Sequence, residues 1–235
     1  MTPLSTSLVT PIFAKQTDDE PWPEDKVFYL VTADGLFLCR NHSFFRSCVP
    51  ARRWPGELAH QSARLDLTYP PIPQAMLQQI VGFFHAAWQM FGSEAAVLVA
   101  WNQLQERVEL IVPTQTVTVC KNAWGDVFPI GVHYEIPADL PPHLNVFCDI
   151  HSHGDMEAYT STTDAEDETF RAGLHIVVGR LDQPAPQFHV AAVVDGTRFK
   201  VPVEQICGSY EERDDTFPQD WLRQITVKRY GGFKS

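Results

Sequence analysis

At 235 residues, 44% hydrophobic and 20% charged, the chain has ordinary globular composition and length for one large domain or a medium domain plus a small one. Its formal charge of −11 argues against non-specific nucleic-acid binding, which rests on phosphate neutralisation by Lys and Arg. No apolar run approaches bilayer-spanning length, and the opening MTPLSTSLVTPIFAK has no basic region ahead of a continuous apolar stretch, so neither membrane nor secretory signal is expected. Five cysteines, at 39, 48, 120, 148 and 207, are odd in number with no C-x-x-C; they read as buried thiols in a reducing compartment, and a cytoplasmic protein is the expectation.

Residues 1 to about 25 are Pro-, Thr- and acid-rich and read as a loosely ordered lead-in. Val27–Val31 and Leu36–Cys39 are apolar runs around Asp34-Gly35, a hairpin signal. Prolines at 50, 55, 70, 71 and 73 make 46–73 a loop-rich connection. The expected organisation is a β-rich N-terminal extension over 1–70, a main domain over 71–205 and a C-terminal tail over 206–235. Leu77, Val81, Phe84, Trp88 and Phe91, spaced four, three, four and three, predict an amphipathic helix that Gly92 ends. His85 on that helix reads as a packing or surface histidine. Ala95–Trp101 and Arg107–Val112 predict a hairpin across 102–106, and further strands are expected at Thr116–Cys120, Leu144–Ile150, Leu174–Gly179, Phe188–Val194 and Arg198–Val203. The fold class is α/β: a mixed β-sheet flanked by helices, with a small β-rich N-terminal region.

The strand ending at Ile150 delivers HSHGDMEAYTSTTD, which is H-x-H, seven residues, then S-x-x-D. Strand side chains alternate faces, so His151 and His153 point the same way and can grip one ion. Asp164, returned by a loop, supplies a third ligand, and three ligands with an open fourth position suit a catalytic rather than a structural zinc site. Ser161 to Asp164 opens a polar, helical stretch expected to run to about Ala172, where Gly173 ends it. S-x-x-D before a helix is also a capping box, which needs no metal. Asp149, at i−2 from His151, is either an alternative ligand or a group that orients a histidine. Asp155 and Glu157 read as loop-lining acids. There is no H-E-x-x-H, G-x-x-x-x-G-K-[ST], G-x-S-x-G or G-x-G-x-x-G to compete.

These residues resemble the motif of the JAMM/MPN-type metallopeptidases, the prokaryotic JAB group in particular: a glutamate upstream, then H-[ST]-H-x(7)-S-x(2)-D. The similarity covers about Pro71 to Val203. It implies a JAB/MPN-like, cytidine-deaminase-like sandwich, one zinc ion per chain, and hydrolysis of a peptide or isopeptide bond after the C-terminus of a ubiquitin-like protein, with a zinc-activated water as nucleophile. Carried onto this chain, the metal ligands are His151, His153 and Asp164. The general base is Glu94, at the head of the AAVLVAW strand, with Glu106, Glu109 and Glu135 as the other upstream acids. Ser161 is the hydrogen-bond donor to the water or developing oxyanion. Gly154 stands where many eukaryotic members carry proline. The layout is also similar to a bacterial family, PRTRC system protein A, encoded beside ParB-like, ThiF-like and ubiquitin-like partners. The resemblance therefore implies a ubiquitin-like or sulfur-carrier-like protein partner with a ThiF-like activating enzyme. Its relatives leave two alternatives open: a sulfur-carrier or small-substrate hydrolase, and a non-catalytic MPN scaffold.

Overall fold

A computed structural model of the chain describes residues 10–122, 124–169, 171–208, 210 and 215–230. It divides into two compact units, residues 1–64 and 65–235.

In the first unit, β1 (Ile12–Ala14), β2 (Val27–Thr32), β3 (Gly35–Asn41) and β4 (Arg46–Pro50) form a sheet in chain order, β1 parallel to β2 and the rest antiparallel. The β2–β3 hairpin forms where expected, and the Thr32 hydroxyl accepts from the Asp34 N–H at 3.1 Å inside its turn. Phe28, Leu30 and Cys39 make a small core against Trp22 and Phe37. Two strands depart from the expectation. Part of the lead-in is ordered as β1, and the Pro-rich connection begins with β4, whose Pro50 sits at its end on the sheet edge, where a missing N–H costs nothing. Nor are all the cysteines buried: Cys39, Cys148 and Cys207 are, but Cys48 is exposed and Cys120 partly so.

The second unit is built around α1 (Gln74–Phe91), which buries Leu77, Ile80, Val81, Phe83, Phe84 and Ala87. Each such side chain contributes about 1.5–3 kcal/mol on burial, alanine less. Gly92 closes the helix in the left-handed conformation (φ 64°), its N–H bonded to Trp88 O at 2.8 Å. Then come β5 (Ala96–Asn102), β6 (Arg107–Ile111), β7 (Gln115–Lys121), β8 (Val127–Tyr134), β9 (Leu144–Ser152), α2 (Thr162–Glu168), β10 (Gly173–Gly179), β11 (Gln187–Val194), β12 (Thr197–Lys200), α3 (Val203–Cys207), a 3-10 helix (Gln219–Gln224) and β13 (Ile225–Tyr230). The main sheet runs β12-β11-β10-β9-β5-β6, with β9–β10 parallel and the other pairs antiparallel. Val97, Val99, Cys148, Ile150, Leu174, Ile176 and Val178 share one core cluster with α1. The class is α/β with mixed sheets, as expected. A second sheet, β13-β7-β8, leaves β8 at an edge.

Three expectations need correction here. α2 stops at Glu168 rather than Ala172. The last strand covers Thr197–Lys200, because Pro202 starts α3 instead of continuing it. Residues 219–230, read as tail, return as the 3-10 helix and β13, which pairs in parallel with β7.

Candidate metal centre

β9 lies between β5 and β10, and His151 is paired with Ala96 on one side and Val177 on the other. Alternation sends Cys148 and Ile150 into the core and Asp149 and His151 to the opposite face. Ser152 turns back: its Oγ accepts from the Ala95 N–H at 3.0 Å, and its own N–H donates to Ala95 O at 3.0 Å. The His153 N–H donates to Val178 O at 2.8 Å, which carries the ladder one residue past the strand and returns His153 to the face of His151.

Gly154 then adopts φ 61°, a value closed to proline, and a Cβ there would lie 3.1 Å from the Trp88 ring. This is the physical reason for glycine after the second histidine. The following loop is pinned to the end of β10 by Leu181 N–H to Gly154 O (2.9 Å) and Arg180 N–H to Met156 O (2.7 Å). It passes so close to Gly179 that a Cβ there would stand 2.4 Å from Met156 O.

The loop ends at Ser161, the N-cap of α2. Ser161 Oγ accepts from the Asp164 N–H at 3.2 Å, and Asp164 Oδ2 accepts from the Ser161 N–H at 2.8 Å. The capping box is real, and it coexists with the metal geometry. His151 Nε2 and His153 Nε2 are 3.3 Å apart, His151 Nε2 is 3.5 Å from Asp164 Oδ1, and His153 Nε2 is 3.6 Å from Asp164 Oδ2. All three are longer than a well-formed hydrogen bond. They match the edges, about 3.4 Å, of a tetrahedron whose ligand bonds are about 2.1 Å. Two imidazole nitrogens and one carboxylate therefore converge as a set that can hold a metal ion.

Glu94 sits between α1 and β5, one residue before Ala95, so the Ser152 bonds tie its backbone to the histidine strand. Glu94 is 7% exposed and lines the same cleft as His151, His153, Ser161 and Asp164, about 390 Å³ in volume. Burial pushes the Glu94 carboxyl up; His151 and His153 oppose that, and Asp164 adds to it. Burial would also raise Asp164, but the imidazoles of His151 and His153 beside it, with the Ser161 N–H, outweigh it and hold the carboxyl well below the usual range. Burial would lower His151, yet Asp164, Glu94 and Asp149 together raise it above the ordinary imidazole value.

Asp149 shares the face of His151 but is engaged elsewhere. Its Oδ2 lies 2.9 Å from His175 Nδ1 and 3.3 Å from the Arg171 guanidinium. It orients a histidine, as one alternative had it, but that histidine is His175 rather than a residue of the H-x-H pair. Asp149, Glu168 and His175 are close enough to suggest a second ion site. Arg171 and Arg198 already pair with the two carboxylates, so no cation is needed there. His85 bonds Asp215 at 3.1 Å. Glu109 is held by Asn102 and Arg107, Glu157 pairs with Arg180, and Glu106, Glu135 and Asp155 are exposed.

Several contributors had no sequence signal. β8 lines one wall of the cleft from Pro129 to Tyr134. The buried Gln115 side chain brackets the Ala96 backbone, its Oε1 accepting from the N–H at 2.7 Å and its Nε2 donating to the carbonyl at 3.0 Å. Ser152 was legible only as the middle of H-x-H.

No curated protein matches the chain. The family described as prokaryotic homologs of the JAB domain matches residues 73–192, a span that starts just before α1, ends within β11 and contains all five residues of the glutamate and H-x-H…S-x-x-D set. Since that span is just over half of the chain, the protein belongs to the prokaryotic JAB-domain family.

Proposed function

We propose that the protein is a zinc metallopeptidase that hydrolyses a peptide or isopeptide bond after the C-terminus of a ubiquitin-like protein. The observation that carries the reading is the triangle of His151, His153 and Asp164, with sides of 3.3, 3.5 and 3.6 Å, beside a buried glutamate in an open cleft. Imidazole and carboxylate donors suit zinc, which when bound polarises a carbonyl and acidifies a water. Glu94 takes the proton of the attacking water and hands it to the leaving amine; its raised pKa brings it towards the operating pH, where such transfer is most effective. Ser161 Oγ accepts from Asp164, which leaves its hydroxyl hydrogen to donate to the developing oxyanion, an interaction worth about 2–4 kcal/mol.

The cleft wall supports this substrate class. β8 is an edge strand, and the register shift opposite Thr118/Val119 leaves an extra residue, Ile130, 58% exposed. An open edge beside the cleft can take up a narrow, extended tail as an added strand. A folded body at the end of that tail docks away from the ion, and an activating enzyme of the ThiF type charges the same carrier.

The test is to incubate the protein with a ubiquitin-like carrier fused to a reporter and follow the products by mass spectrometry. Chelator-sensitive release at the carrier C-terminus supports the proposal. Cleavage of short peptides with no activity on carrier fusions would replace it with the small-substrate reading. A metal-free, inert protein would leave the scaffold reading.

A further inference from the structure

α2, which carries Asp164, is seven residues long (TTDAEDE), has no apolar side chain larger than alanine, and buries one residue, Glu168. So short a helix has no stability of its own and cannot be held by an apolar face. Its first turn is tied by the capping box. Its last turn is tied by Glu168, which lies at i+4 from Asp164, on the same helix face. That carboxylate is 2% exposed, receives the Arg198 guanidinium from β12 at 2.5 Å, and stands 3.8 Å from His175 Nδ1. His175 is held in turn by Asp149 at 2.9 Å and by Arg171 O at 3.0 Å.

We infer that Glu168 and Arg198 are positioning residues for the metal centre: the ion pair between the half-buried Arg198 and the buried Glu168 moors α2 and so sets where the Asp164 carboxylate stands. The inference rests on reading His151, His153 and Asp164 as metal ligands. The buried charges away from the centre then have a purpose without a second ion.

The variants are Arg198→Met, Arg198→Lys and Glu168→Gln. The readouts are zinc affinity by competition with a chromophoric chelator, the visible spectrum of the cobalt-loaded protein, and amide exchange of α2 in metal-free protein. Arg198→Met and Glu168→Gln should weaken zinc binding by about 10–100-fold, as removal of a partner outside the ligand set does. They should also alter the cobalt bands and speed α2 exchange while α1 stays protected. Arg198→Lys should restore most of the affinity. Wild-type zinc affinity together with wild-type α2 exchange in both Arg198→Met and Glu168→Gln would overturn the mooring. If the wild type itself takes up neither zinc nor cobalt, the ligand reading fails, and α2 exchange alone then decides whether the ion pair moors the helix.

The first unit holds a pair of cysteines. Cys39 and Cys48 are direct partners across β3–β4, with Sγ atoms 2.8 Å apart. The bonds His42 N–H to Phe45 O and Ala51 N–H to Leu36 O put them at a non-hydrogen-bonded pair, where Cα atoms approach to about 4.5 Å, within disulfide range. We propose that this pair is a site of oxidative modification. The exposed Cys48 thiolate attacks hydrogen peroxide, giving a sulfenic acid and hydroxide; Cys39 then attacks that sulfur, forming the disulfide and releasing water. Peroxide treatment followed by non-reducing peptide mapping should show a Cys39–Cys48 cross-link, absent in Cys48→Ser and reversed by dithiothreitol. Cys48 ending as sulfinic acid, or linked to Cys120, would overturn the assignment.

Discussion

Ser161 and Asp164 each satisfy the other's backbone N–H, at 3.2 and 2.8 Å, while the Asp164 carboxylate also faces both histidines. The capping box orients the Asp164 carboxylate, so helix start and candidate metal centre are one construction. Ser161→Ala should cost about 1 kcal/mol of stability through the lost cap and also weaken zinc binding. Thermal melts with and without zinc check this: the shift produced by zinc should shrink, beyond a uniform lowering of both curves.

His151→Ala/His153→Ala should purify without zinc yet folded, since α1 and the core strands pack without either side chain. Elemental analysis and circular dichroism report the two halves of this expectation. Zinc at the wild-type level would refute the ligand assignment.

Glu94→Gln keeps the shape and removes the proton acceptor, so zinc content should hold while turnover falls by about 10²–10⁴-fold. Glu109→Gln, on the outer hairpin, should be nearly silent. Reversed outcomes would move the base from the α1–β5 connection to β6.

Zinc affinity should depend on pH through His151. With no ion bound, its neighbours raise its pKa above the ordinary 6.5, and only the neutral ring can bind metal. A proton therefore competes below that raised pKa, and affinity should climb about tenfold per pH unit until His151 is neutral, then level off. Isothermal titration at several pH values, in buffers of different ionisation enthalpy, reads the released proton directly. A level affinity from pH 6 to 8 would contradict it.

Gly179→Ala places a methyl against the 156–158 backbone and should destabilise by about 1–3 kcal/mol. Because that loop joins His153 to Ser161, zinc affinity should fall as well, which calorimetry and chelator competition can check separately.

What could be read from sequence was local. The spacing of Leu77, Val81, Phe84 and Trp88 describes α1, and the alternation of His151 and His153 describes one face of β9. What could not be read depends on distant partners. VFPIGVHY contains Pro129 and Gly131 and makes no strand pattern; it becomes β8 because β7 offers a ladder and an edge tolerates proline. β13 pairs with β7 from more than a hundred residues away. Glu168 has the look of a solvated acid in TTDAEDE, and the charge that offsets its burial comes from Arg198, thirty residues on. Asp149 was legible as facing the site, but its partner His175 becomes its neighbour only through the parallel pairing of β9 and β10.

The double hydrogen bond between Ser152 and Ala95 has a kinetic consequence. Glu94 and the histidines stand at the ends of β5 and β9, inner strands of the main sheet, whose amides open at the highest cost. Asp164 rides on a short helix that can lift away at far lower cost. The ion's exchange with solvent would then be timed by α2 rather than by the lifetime of the fold, so a very stable sheet need not mean a slowly exchanging metal.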